Sequence, residues 1–225
     1  MITNSERLFE RYCARRGYTV ERIPCATSRT ADYFVSANGH RVVVEVKEIS
    51  TNDEDIRFAE AMRRDGFASG TNQGERLRRR LRRACDQLRR HRALSLPCVA
   101  VIRENISLDF VPRTVRLLQV SPEAVDMAMY GAETARVTLR TNKPHDVRDT
   151  RGGNRVLTAA ERCYVSALSI LHGDAEPFVA TYHNFYAARP LPPGIFSGRG
   201  DYHFLKRCDP ASGSHAWVDA TIVRA

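Results

Sequence analysis

Lysine is almost missing from this chain: Lys47, Lys143 and Lys206 are the only three among 35 basic residues. Arginine abundance therefore reflects a general bias, and only arginine placement is informative. Cysteine pairing motifs are missing too. Cys13, Cys25, Cys85, Cys98, Cys163 and Cys208 form no C-x-x-C, and the seven histidines do not cluster. That argues against a zinc site or a disulfide framework and for buried free thiols. No apolar run approaches the ~20 residues of a bilayer span, so no membrane association is expected. The first residues, Met1 to Glu6, lack the basic stretch and apolar core of a signal peptide, and a cytoplasmic protein is the expectation. Internal repeats and low-complexity linkers are also absent.

What is present fits a folded chain. Hydrophobic residues make up 43% and aromatics 8% of 225 residues, ordinary for one generous domain or a compact core with a second half attached. The net charge of +9 favours an anionic partner. It is concentrated: between Gln73 and Arg92 nine arginines stand against Glu75 and Asp86, a local net of +7. The remainder is close to neutral.

Periodicity divides the first hundred residues cleanly. Leu8, Phe9, Tyr12 and Cys13 recur at helical spacing over Ser5 to Arg16, with Thr3-Asn4-Ser5-Glu6 as a capping box and Gly17 as the stop. Tyr18 to Ile23 alternates as a strand, and Cys25 to Ala31 reads as a loop. Asp32 to Ser36 and Arg41 to Lys47 are strands joined through Asn38-Gly39, a strong hairpin signal. Thr51 to Thr71 predicts an amphipathic helix (Ile56, Phe58, Ala59, Met62) leading into a loop. Its start, Asn52 to Asp55, reads as an acidic helix N-terminus rather than a second-metal site. Glu75 to Arg92 is a helix with Leu77, Leu81, Cys85 and Leu88 on one face. Pro97 to Ile102 is a buried strand. The order is α-β-β-β-α-β.

Beyond Arg103 the pattern is weaker. It gives a helix over Ser121 to Tyr130, strands over Ala135 to Leu139, Cys163 to Leu171 and Phe178 to His183, and a loop over Thr141 to Asn154. Pro190-Leu191-Pro192-Pro193-Gly194 marks an extended or turning segment. Tyr182 to Tyr186 reads as aromatic packing, and Trp217 has no assignable role.

The hairpin carries the chemistry. With Asn38-Gly39 as a two-residue turn, Ala37 faces His40, Val35 faces Val42, Phe34 faces Val43 and Tyr33 faces Val44. Asp32 then falls opposite Glu45. Tyr33, Val35, Val42, Val44 and Val46 share an apolar face, and Asp32, Glu45 and Lys47 share the other. Opposed carboxylates repel, and a divalent cation relieves that cost; Mg²⁺ is commonly held by one or two carboxylates plus water and phosphate oxygens. An ammonium beside it can orient or deprotonate an attacking water and stabilise developing charge. These are parts for metal-assisted phosphodiester hydrolysis.

The segment from Ala31 to Lys47, within this element order, resembles the PD-(D/E)XK superfamily of restriction-endonuclease-like nucleases, and at its amino-terminal end the archaeal Holliday-junction resolvases. One departure is Ala31, where the family usually has proline. The resemblance covers about residues 1–103. It implies an α/β fold with a restriction-endonuclease-like αβββαβ core and a mixed central sheet. Residues 104–225, outside the resemblance, are read as a carboxyl-terminal α+β extension of unassigned role: additional strands, substrate recognition or dimerisation. The resemblance implies Asp32, Glu45 and Lys47 as catalytic residues, with Mg²⁺ or Mn²⁺ held by Asp32, Glu45, Val46 and a glutamate of the first helix. Glu6 fits that last position and Glu10 competes for it. The capping box explains Glu6 equally well.

On the arginine-rich helix, Arg78, Arg79, Arg82, Arg83 and Arg90 are the candidate nucleic-acid contacts, supplying sequence-independent, salt-sensitive affinity. The expected function is Mg²⁺-dependent DNA cleavage, by an endonuclease that forms a homodimer if it cuts both strands. The alternatives are a catalytically silent DNA-binding or assembly subunit and a toxin-like RNA-directed nuclease.

Overall fold

The computed structural model describes residues 2–24, 30–65, 74–106, 120–131, 133–140, 143–151, 154–208 and 215–221. Most of the expected loop from Cys25 to Ala31, and that following the Thr51 helix, lie outside them. The chain opens with helix α1 (Asn4–Arg15), then strands β1 (Thr19–Arg22), β2 (Tyr33–Ala37) and β3 (His40–Ser50). Helices α2 (Asp53–Asp65) and α3 (Glu75–Leu88) follow, with a 3-10 turn at Arg89–Leu94 before β4 (Cys98–Asn105). Helix α4 (Pro122–Tyr130) precedes a hairpin of β5 (Glu133–Arg140) and β6 (Lys143–Arg151). The last strands are β7 (Val165–His172), β8 (Phe178–His183), β9 (Tyr202–Cys208) and β10 (His215–Asp219).

The protein is α/β. One mixed eight-stranded sheet runs β1-β2-β3-β4-β7-β8-β9-β10, and β5-β6 stands apart from it. β1, β2 and β3 form an antiparallel meander, whereas β4 is parallel to β3 and β7 is parallel to β4. The residues beyond 103 thus extend the same sheet with four more strands.

Both faces of the sheet are covered. α1 packs Leu8, Phe9, Tyr12 and Cys13 against Tyr33, Val35, Val42, Val44, Val46, Val99 and Val101. α3 and α4 pack Leu77, Leu81, Cys85, Leu88, Val125 and Met129 against Val43, Ile49, Cys98, Ala100 and Ile102 on the opposite face. Strands buried on both sides need continuous apolar runs, which is why Cys98–Ile102 shows no alternation. Cys13, Cys85 and Cys98 are buried free thiols, as expected, and Cys163 is half-buried.

One expectation changes. The stretch expected to be a loop over Thr141 to Asn154 contains β6, whose backbone pairs with β5 from Glu133↔Arg151 to Arg140↔Lys143. A polar ribbon outside the main sheet leaves no apolar periodicity to detect. β9 and β10 were likewise unmarked by pattern. Tyr182 does pack among aromatics, stacked on Phe204 at 4.8 Å and edge-on to Trp217 at 5.1 Å, which gives Trp217 a place in the core rim.

Candidate active site

The hairpin has the expected register at every pair: Ala37↔His40, Ser36↔Arg41, Val35↔Val42, Phe34↔Val43 and Tyr33↔Val44. Asn38 and Gly39 both have positive φ, 51° and 75°, as a type I′ turn requires. The Asn38 side chain also donates to the Gly194 carbonyl at 2.9 Å, tying the turn to the proline-rich segment.

The ladder stops at Tyr33, and Asp32 takes a different arrangement from simple opposition. Its N–H donates to the Val44 carbonyl (3.1 Å), and its own carbonyl accepts from the Ile23 N–H (2.9 Å). Its side chain turns toward β3, where Oδ2 accepts from the Val46 N–H at 2.8 Å. β2 has ended there, so the carboxylate serves as the acceptor that another ladder residue would have supplied. The Val46 side chain meanwhile points into the α1-side core, leaving only its backbone on the carboxylate side.

Glu45 is the most unusual residue of the sheet. It is fully buried, because α3 covers the face that the hairpin pattern alone would leave to solvent. Oε1 accepts from Lys47 Nζ, while Oε2 is buried. Burial pushes the Glu45 carboxyl up to about 8, and the negative charge of Asp32 and a hydrogen bond to its carboxylate push the same way, against Lys47. Asp32 is also raised, mainly by burial, opposed by the Val46 N–H and by Lys47. An isolated buried carboxylate is costly. Two carboxyls close enough to share a proton form a place where a cation would take that proton's role.

Glu6 lies close enough for its charge to raise Asp32. Both of its oxygens are occupied: Oε2 accepts from the Thr3 N–H at 2.6 Å, and Oε1 from Arg22 Nη2 at 2.7 Å. The Thr3 hydroxyl oxygen in turn accepts from the Glu6 N–H, completing the capping box. Glu10 instead accepts from the Tyr33 hydroxyl at 2.8 Å. Among the described residues no group of three or more His, Cys, Asp or Glu is disposed to hold a metal. An ion here would rest on Asp32 and Glu45, the Val46 backbone and oxygens from water or substrate, a donor set that suits Mg²⁺.

The arginine helix resolves into distinct roles. Arg76 is buried, donating to both oxygens of Asp55 (2.8 and 2.7 Å) and to the Ser50 carbonyl. Arg78 is also buried and pairs with Glu75 at 2.8 Å. Arg82 and Arg90 are exposed. Arg79 and Arg83 line a cavity of about 240 Å³ together with Ser50, Thr51, Asn52, Arg76 and Arg80. Arg76 and Arg80 were missed from the sequence, although a signal existed. Once Leu77, Leu81, Ala84 and Cys85 face the core, positions 76, 79, 80 and 83 share one flank.

The acidic start of α2 is a cap, as expected. Asn52 and Asp55 exchange hydrogen bonds, backbone N–H to side chain in each direction, both at 2.9 Å. Asp55 is then held by Arg76 and is not part of the carboxylate pair. No helix among the described residues is long and apolar enough to cross a membrane. Compared with protein-family models, curated proteins and solved structures, the chain shows no significant match.

Proposed function

We propose that this chain is a metal-dependent nuclease hydrolysing DNA phosphodiester bonds, built on a restriction-endonuclease-like core. One observation carries the reading: fully buried Glu45 stands within hydrogen-bonding range of the Asp32 carboxyl and in contact with Lys47. The meander β1-β2-β3 followed by helices and a parallel β4 supplies the matching framework, and the uncompensated arginines of α3 suit a polyanion.

Asp32 and Glu45, with the backbone of Val46, would hold Mg²⁺ or Mn²⁺. Bound there, the ion supplies Lewis acidity and a lowered pKa for the attacking water. Lys47 Nζ, bonded to Glu45 Oε1 in this structure, would be freed if that oxygen held the ion. It then positions the water and offsets negative charge developing on the phosphate. Glu6 fixes the start of α1 and pairs with Arg22, and its negative charge adds to the site's preference for a cation. Cutting both strands of a duplex in one binding event would take two such sites, as in a homodimer.

A second reading has its own observation. Lys47 is already bonded to Glu45 Oε1, and Asp32 has a structural bond to Val46, as in a catalytically silent DNA-binding subunit. Incubating the protein with labelled single-stranded DNA, duplex DNA, junction DNA and RNA, with and without Mg²⁺, separates the readings. Mg²⁺-dependent cleavage of DNA, lost in Asp32→Ala, is expected. Salt-sensitive binding without cleavage assigns the silent subunit, and cleavage of RNA alone the toxin-like nuclease.

A further inference from the structure

The cavity beside α3 is built from a fixed frame and a free charge. Its frame is the end of β3 and the start of α2, held by the reciprocal Asn52–Asp55 cap and by the Arg76 fork onto Asp55 and the Ser50 carbonyl. Arg76 is thus neutralised by Asp55. Arg79, Arg80 and Arg83 also line the cavity, and none has a salt-bridge partner among the described residues. Burial and the charges of Arg83, Arg76 and Arg79 all lower the Arg80 guanidinium, with only Glu48 acting in its favour. Acidic side chains are absent from the lining, and Asp53 and Glu54 are exposed outside it.

Like charges gathered in a concavity repel, and an anion is the compensation. The cavity has the volume of about eight waters at ~30 Å³ each, enough to admit a phosphate with its hydration. Charge narrows the class further. A diester phosphate carries one negative charge, whereas a phosphomonoester carries about −1.5 to −2 at pH 7. Three guanidiniums without a salt-bridge partner among the described residues match the second better, and guanidinium forks suit phosphate geometry.

Position relates the cavity to the carboxylates. Ser50 lies three residues beyond Lys47 on β3, about 10 Å at strand rise. α3 runs back along β3 toward the start of β4, so the seven residues from Arg76 to Arg83 return about 10 Å at helix rise. The arginine flank therefore leads from the cavity back toward the level of Lys47.

We propose that this cavity is a binding subsite for the terminal phosphate monoester of a nucleic-acid strand, which would make the enzyme selective for phosphorylated ends. The proposal rests on the nuclease reading for its biological meaning but is testable without catalysis. The probes are short internally labelled single strands bearing a 5′-phosphate, a 3′-phosphate or hydroxyl at both ends, titrated in EDTA at fixed salt and followed by fluorescence anisotropy.

One phosphorylated end should tighten binding about tenfold over the hydroxyl strand, with inorganic phosphate competing for the difference. Arg79→Gln/Arg83→Gln, both exposed positions, should erase the preference while circular dichroism and Tm stay at wild-type values. Equal affinity for all three strands overturns the proposal, as does an end preference that survives in the double variant. Mg²⁺-dependent cleavage with no end preference sinks this subsite and leaves the nuclease standing. An end preference without cleavage does the reverse.

Discussion

Asp32 Oδ2 accepts a hydrogen bond from the Val46 N–H at 2.8 Å, so one carboxylate both finishes a β-ladder and faces Glu45. These two roles separate under substitution. Asp32→Asn keeps an acceptor oxygen and should unfold within about 1 kcal/mol of wild type, whereas Asp32→Ala leaves the N–H unpaired and should lose about 1–3 kcal/mol. Both should lose Mg²⁺-dependent cleavage. Urea denaturation beside a cleavage assay checks this; an active Asp32→Asn protein would show that the carboxylate charge is dispensable.

Glu45 makes metal-free stability depend on pH. Its folded-state value is raised from 4.5 to about 8, with burial as the main cause. A carboxyl raised on folding contributes stability that is fully present below its unfolded value and lost as pH rises through the folded value. In EDTA the wild-type protein should therefore lose stability between about pH 4.5 and 8, relative to Glu45→Gln. Thermal melts of the two proteins across that range test it. Mg²⁺ should raise the wild-type Tm more at pH 8.5 than at pH 6, because binding requires the deprotonated ligand.

Arg76 and Asp55 form a buried pair at 2.7 Å, with side chains 8% and 9% exposed. Removing either partner strands a buried charge, so Arg76→Ala or Asp55→Ala should cost about 3–5 kcal/mol. The double variant should recover part of that loss. Strict additivity of the two single effects in a denaturation cycle would contradict the coupling.

Glu6→Gln retains an acceptor for the Thr3 N–H, so it should change stability by less than about 1 kcal/mol, whereas Thr3→Ala should lose about 1 kcal/mol of capping. Since both Glu6 oxygens are already bonded within the protein, cleavage by Glu6→Gln should stay within about tenfold of wild type. A stable but inactive Glu6→Gln protein would move Glu6 into the metal shell.

Local pattern made the hairpin legible to the residue. Asn38-Gly39 sets the turn, and alternation of Tyr33, Val35, Val42 and Val44 sets the register. Burial of Glu45 was not legible, because it depends on α3 crossing a face that looks polar in one dimension. Asp32 sits one residue past the last ladder pair, and no spacing rule distinguishes an opposed side chain from one that turns to cap Val46. For the arginines, charge density was visible but partner choice was not. Arg76 and Arg78 are committed to Asp55 and Glu75, while Arg79, Arg80 and Arg83 share the cavity. The weakest elements, β6, β9 and β10, have their register set by partners rather than by their own periodicity.

The central claim is that Asp32, Glu45 and Lys47 act together on a phosphodiester. Lys47→Ala tests it most directly, assayed in Mg²⁺ for DNA cleavage and in EDTA for DNA binding. The account predicts that cleavage falls by at least about a hundredfold, the scale of losing one acid–base group, while binding stays within about threefold of wild type. Cleavage retained in Lys47→Ala would contradict it.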